Sequence, residues 1–135
     1  MKQSSDDLAR RGEVWLAGLG AAKSGELGKN RPVLVLSVDW VSTDAPDEPV
    51  IVVPYTSARA VSPLRPKAPV GIGMELDSVA LCRAVRSISR NRLLRRLGKA
   101  PEAHVELVAA LVSAMVGGPR DPEVILQLVS DVPNL

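Results

Sequence analysis

Aromatic residues are scarce in this 135-residue chain, which has no phenylalanine, one tyrosine (Tyr55) and two tryptophans (Trp15 and Trp40). Its core must therefore be filled by Val, Leu, Ile and Ala, and it offers no row of rings on which bases could stack, so any grip on a nucleic acid has to be mainly electrostatic. A single cysteine, Cys82, excludes an intramolecular disulfide, and its apolar neighbours Ala80 and Leu81 mark it as a reduced, buried thiol. The only histidine is His104, and no paired Cys or His stands at metal-ligand spacing. A phosphate loop of the Walker type and a Gly-x-Ser-x-Gly turn are both missing. Cys82 and His104 are accordingly read as structural, and no cofactor or metal is expected. No signal peptide and no apolar run of spanning length are visible, so the expected location is the cytoplasm, away from membranes.

What is present suits one small domain. Hydrophobic residues make up 46% of the chain, enough for one core at this length. The formal net charge is only +2, from 17 basic and 15 acidic residues, but the basic ones are unevenly placed. Between Ser78 and Pro101 no acidic residue occurs, whereas Arg83, Arg86, Arg90, Arg92, Arg95, Arg96 and Lys99 are all basic. Such a run fits a groove tracking a single-stranded RNA backbone, a surface for an acidic partner, or an ordinary solvated face, since strand alternation would send some of these side chains in opposite directions.

Residues 1–10 read as a flexible lead-in, 11–118 as the folded domain and 119–135 as a C-terminal extension with a short apolar pattern of its own. Apolar stretches at Glu13–Leu19, Arg31–Ser37 and Val50–Tyr55 predict three strands buried on both faces. Gly20–Asn30 reads as a surface loop. The proline-bearing segment 58–69 predicts at most one edge strand, ending near Val70. Asp77–Cys82 and Ala84–Ser89 predict two strand pieces with a kink at Arg83, Arg90–Arg95 a helical turn, and Arg96–Lys99 a last short strand. From Pro101 to Val116 the residues Val105, Val108, Leu111, Val112 and Met115 recur at helical spacing, with Gly117-Gly118-Pro119 as the stop. The whole is mainly β (α+β), a small SH3-like barrel with a C-terminal helix.

Chemistry then falls to polar residues at strand ends. Pro32 fixes its own backbone and drives Arg31 into an extended conformation at the start of the second strand, while Thr56 closes the third. If those strands are antiparallel neighbours, a guanidinium and a hydroxyl meet at one rim. That pair suits cleavage of RNA by its own 2'-hydroxyl, because the substrate supplies the nucleophile and the protein has only to orient it and stabilise the phosphorane. A guanidinium is a poor proton acceptor, so Arg31 is assigned phosphate stabilisation and late proton donation, with Thr56 and, secondarily, Ser57 as hydroxyl contacts. A plainer arrangement fits the same residues: Arg31 paired with Glu26, and Thr56 merely ending a strand.

The blocks Arg11-Gly12-Glu13-Val14-Trp15, Gly25 to Ser37 with its central Asn30-Arg31-Pro32, Val52-Val53-Pro54-Tyr55-Thr56-Ser57 and Asp77-Ser78-Val79-Ala80-Leu81-Cys82 occur in this order. Over about residues 10 to 117 the chain resembles the MazF/PemK toxins of bacterial toxin–antitoxin systems. The resemblance implies a homodimer that cleaves single-stranded RNA without metal and is inhibited by a cognate MazE-like antitoxin. It places the catalytic arginine on Arg31 and the catalytic threonine on Thr56, and puts Glu26 and Lys29 in the loop bordering the RNA groove. Arg83 and Arg86, with Ser57, complete the expected substrate contacts. Arg83-Ala84 departs from the acidic residue and Gln or Glu that the family commonly carries there, and Ser87 stands in place of Thr. Two other readings compete with the ribonuclease: a non-catalytic toxin of the CcdB type that grips a protein such as gyrase, and an inactive module that only binds an antitoxin.

Overall fold

A period of two runs through the apolar stretches and divides their side chains between two cores, one on each face of an antiparallel sheet. The computed structural model describes residues 8–20, 29–39, 41, 48–74 and 77–118. Most of the lead-in, most of the Gly20–Asn30 loop, the start of the connection before the third strand and the extension after 118 lie outside them. The strands are β1 (Glu13–Gly18), β2 (Asn30–Val35), β3 (Val50–Thr56), β4 (Val79–Ala80), β5 (Arg86–Ile88) and β6 (Leu93–Lys99), followed by helix α1 (Glu102–Met115).

Val14, Leu34, Val53 and Tyr55 form one core with Val105, Leu107, Val108 and Leu111 of α1. Their sequence neighbours Trp15, Ala17, Val33, Val35, Val50 and Val52 form the other, closed by Ile88 and Leu19. The sheet runs β4, β3, β2, β1, β6, with β5 also on β3. The expected small barrel is thus realised as a six-stranded antiparallel sheet whose strand order stays open at β6.

Local sequence explains the pairings. Gly12 adopts φ +90°, where a side chain would be strained. There its N–H donates to Val35 O at 2.9 Å and its carbonyl accepts from Ala100 N at 2.8 Å. Next to it the buried Glu13 carboxylate accepts from Arg10 N (2.7 Å) and from Trp15 Nε1 (3.2 Å), and pairs with Arg96 Nε at 2.9 Å. Arg96 also lies over the Trp15 ring, 5.5 Å from its centroid. The Arg-Gly-Glu-Val-Trp block is therefore the clasp joining β1 to β2 and β6. Pro54 sits inside β3, and its carbonyl accepts from Leu81 N at 2.8 Å. The N–H that proline lacks falls on that same side, where the edge made by β4 and β5 is broken by a 3-10 turn at Cys82–Ala84, the kink expected at Arg83.

Two expectations are corrected. Residues 58–70 form no strand and make only isolated bridges, Ser62 with Arg65 and Lys67 with Val79. Pro63, Pro66 and Pro69 remove the donors that a ladder would need. Arg90–Arg95 is not one helical turn either: a 3-10 turn covers Arg90–Arg92, and β6 starts at Leu93. Ala17 and Leu16 of β1 need partners and find them in Leu93 and Arg95, so sheet pairing overrides the local pattern.

Helix α1 follows Pro101 and stops where Gly117 turns to φ +92° and Gly118 N donates to Ser113 O at 2.7 Å. Val105, Leu107, Val108 and Leu111 are buried, Val112 is half-buried, and Met115, expected on the buried stripe, is exposed. Val108→Asp is expected to abolish cooperative thermal unfolding followed by circular dichroism, because an unpaired carboxylate in that core costs several kcal/mol, on the order of the whole stability of such a domain. Val116→Asp, at an exposed position, should melt like the parent; a cooperative melt of Val108→Asp would refute the packing.

Candidate active site

β2 and β3 pair with Val33 opposite Pro54 and Leu34 opposite Val53. Carried two residues further, that register sets Arg31 beside Thr56, and there Arg31 Nη1 donates to Thr56 Oγ1 at 3.2 Å. Thr56 is buried, and its oxygen also accepts from Ala58 N at 3.2 Å. With two donors already on the oxygen, the hydroxyl proton is left to be donated elsewhere.

A cleft of about 240 Å³ opens at this rim. Leu16, Asn30, Arg31, Pro32, Tyr55, Thr56 and Ser57 line it from β1 to β3 and their ends, Gly73, Met74 and Ser78 from the segment between β3 and β4, and Arg95 and Leu97 from β6. That middle segment is pressed against β6 at Gly98, where a Cβ would lie 2.6 Å from Ile72 Cγ2.

Tyr55, one residue before Thr56, turns to the opposite face and is anchored there. Tyr55 Oη and His104 Nε2 share a hydrogen bond of 2.8 Å, with the rings stacked at a centroid separation of 5.9 Å. Burial raises the Tyr55 phenol far above its ordinary range and holds His104 down at about 4, so both are neutral at physiological pH. His104 is thus the tie between the first turn of α1 and the end of β3. Cys82 is a core thiol pushed up to about 12 by burial, protonated and unreactive near neutrality.

Of the residues expected to contact substrate, Ser57 lines the cleft and Lys29, Arg83 and Arg86 do not. Lys29 is exposed at the neck of the β1–β2 hairpin, at φ +68°, its N–H donating to Gly20 O at 2.8 Å. Arg83 is exposed on the 3-10 turn. Arg86 is exposed on β5 opposite Val52, four residues along β3 from Thr56, or about 13 Å at strand rise. Glu26 lies outside the described residues. Arg95 lines the cleft although nothing in the sequence separated it from its six basic neighbours; only the pairing of β6 with β1 does so.

A small antiparallel sheet with a C-terminal helix thus carries an Arg–Thr pair at one rim. Crystalline MazF of Deinococcus radiodurans superposes with a TM-score of 0.71 over 82% of this chain and 97% of its own, at 23% identity, and so shares the fold. So does an endoribonuclease from a mycobacterial species solved in complex with its cognate antitoxin (TM-score 0.66, 18% identity, 82% of this chain and 97% of that one). In sequence, the chain is 33% identical over 103 residues to Endoribonuclease MazF9 of Mycobacterium tuberculosis, covering 73% of this chain and 87% of that protein. The family of PemK-like, MazF-like toxins of type II toxin–antitoxin systems matches residues 10–116, and the chain belongs to it.

The buried histidine makes stability depend on pH. His104 titrates near 6.5 when unfolded and near 4 when folded, so the unfolded chain binds the extra proton and stability falls as pH drops from about 6.5 towards 4. The expected loss is on the order of 3 kcal/mol. His104→Gln, which keeps a hydrogen-bonding partner for Tyr55 but cannot titrate there, should flatten that part of the profile in urea unfolding at pH 4 to 7. An unchanged profile would remove His104 as the cause.

Proposed function

We propose that this chain is the toxin of a toxin–antitoxin pair, a sequence-selective endoribonuclease that cuts single-stranded RNA in the cytoplasm without a metal ion. The observation that carries the reading is the hydrogen bond from Arg31 to Thr56 at the mouth of the cleft. In the proposed reaction the substrate's 2'-oxygen bonds to the adjacent phosphorus as its proton passes to water. The P–O5' bond then breaks, and the leaving oxygen takes up a proton. Arg31 neutralises charge on the phosphorane oxygens and donates to the leaving oxygen. Thr56 turns its free proton towards a phosphate oxygen and orients the group in line. Products are a 2',3'-cyclic phosphate and a 5'-hydroxyl end. Ser57 supports the phosphate from the cleft, and Lys29, Arg83 and Arg86, all exposed outside it, serve flanking RNA, as does Glu26 in the loop before β2. The likeness to an endoribonuclease solved with its cognate antitoxin supports a cognate MazE-like inhibitor for this chain, and its family supports a homodimer.

Incubating purified protein with a long single-stranded RNA in excess EDTA tests the reading. Wild type is expected to make discrete cuts bearing cyclic phosphate ends, and Arg31→Ala and Thr56→Ala to lose at least a hundredfold in rate, the scale of a removed transition-state contact. Absence of cutting on several RNAs, or full activity of both variants, overturns it.

A further inference from the structure

Arg31 and Thr56 meet beyond the ladder that joins their strands. β2 and β3 are paired from Val35 with Val52 to Val33 with Pro54, and both residues lie two positions past that last pair. On its other side the end of β3 has β4, with Tyr55 opposite Ala80 and Thr56 opposite Val79, a ladder of two pairs. Where Thr56 stands relative to β2 therefore depends also on what holds the side chain next to it, that of Tyr55. At 3.2 Å the bond from Arg31 Nη1 to Thr56 Oγ1 is already near the long end of hydrogen-bond distances, so a small shift of Thr56 breaks it.

Tyr55 is 1% exposed, and its Oη shares the 2.8 Å hydrogen bond with Nε2 of the buried His104. His104 is itself firmly seated in the first turn of α1. Its N–H donates to Pro101 O at 3.0 Å, Ala100 N donates to Gly12 O at 2.8 Å, and Val105 packs so close to Gly12 that a Cβ there would lie 3.4 Å from Val105 Cγ2. Contacts thus run without a break from the clasp at Gly12 through the start of α1 to the phenol of Tyr55, and one peptide bond further to Thr56. Apolar packing around the ring is non-directional, so by itself it would let the ring slide within the core. A hydrogen bond between two rigid rings adds a fixed distance and direction, and with them a fixed backbone at the end of β3.

We propose that His104 is a positioning residue for the reaction: acting through Tyr55, it sets the place of Thr56 at the rim and with it the contact to Arg31. The proposal rests on the ribonuclease reading above and adds to it a residue that is buried on the helix side of the sheet and touches no substrate. Its work is orientation, which counts where a misplacement of about 1 Å can cost as much as a hundredfold in rate.

The test measures steady-state cleavage of a single-stranded RNA oligonucleotide that wild type cuts, for wild type, Tyr55→Phe, His104→Ala, His104→Gln and Val108→Ala, at a temperature where circular dichroism shows the proteins folded. Tyr55→Phe keeps the ring and removes only the hydroxyl, so the test stands even where His104→Ala fails to fold. Val108→Ala loosens the same core beside the same helix without removing either member of the pair, and serves as the control for lost stability. Tyr55→Phe and His104→Ala are expected to lower kcat roughly tenfold and to leave KM within about twofold, because orientation at Thr56 is lost while the surface that binds phosphates is unaltered. His104→Gln, which still offers Tyr55 a partner, should return kcat to within about threefold of wild type, and Val108→Ala should keep kcat within about twofold. An unchanged kcat in Tyr55→Phe, an equal loss in Val108→Ala, a kcat of His104→Gln as low as that of Tyr55→Phe, or an effect confined to KM overturns the proposal while wild type still cuts RNA. A wild type that cuts nothing overturns it together with the ribonuclease reading beneath it.

Discussion

Everything at the rim hangs on the register between β2 and β3. Val33 against Pro54 and Leu34 against Val53 are fixed because Val33 must enter one core and Leu34 and Val53 the other, and a slip of one residue would send them to the wrong face. The same constraint places Arg31 against Thr56. The Arg31–Thr56 hydrogen bond is thus positioned by hydrophobic packing that begins two residues away. Both residues sit at ends of strands whose interiors are mostly buried, Ile51 being the exposed exception on β3.

Around that register the polar side chains divide their work by depth. Glu13, Arg96 and Trp15 form a partly buried clasp that closes β1 on β6. Tyr55 and His104 form a buried neutral pair that fixes the helix to the end of β3. Both groups avoid an uncompensated buried charge, the first by pairing and the second by staying neutral, which is what a low-dielectric setting favours. Of the other described cations Arg90 is buried and donates to the Glu48 carbonyl, and the rest lie half-exposed or exposed, where solvation is cheap.

Much of this was legible in residues alone. Both-face apolar runs located the first three strands, helical spacing located α1, the Gly117-Gly118 stop held, and Pro32 marked the start of a strand carrying Arg31. What could not be read was non-local. The strand at Leu93 exists because Leu16 and Ala17 of a distant segment need partners, and no window around residues 90 to 95 contains that information. Arg95 was hidden for the same reason: in sequence it is one cation among seven, and only its partner Leu16 distinguishes it. His104 looked like a lone helical histidine because Tyr55, its partner, lies 49 residues away.

The segment between β3 and β4 gives the cleft Gly73, Met74 and Ser78; it is tied down by hydrogen bonds from Ala68 N to Ser78 O and from Ala80 N to Pro66 O and by the close approach of Ile72 to Gly98, and Leu64, Ala68, Ile72 and Met74 pack on the core beside α1. The Arg31–Thr56 pair and the facing cleft wall thus come from separate parts of the chain. The strands that carry Arg31 and Thr56 are held by two cores, and the wall leans on one of them through Ile72 and Met74. Gly98 sets how closely that wall can approach β6, because any side chain there would meet Ile72, so the width of the cleft is fixed by the absence of a single Cβ.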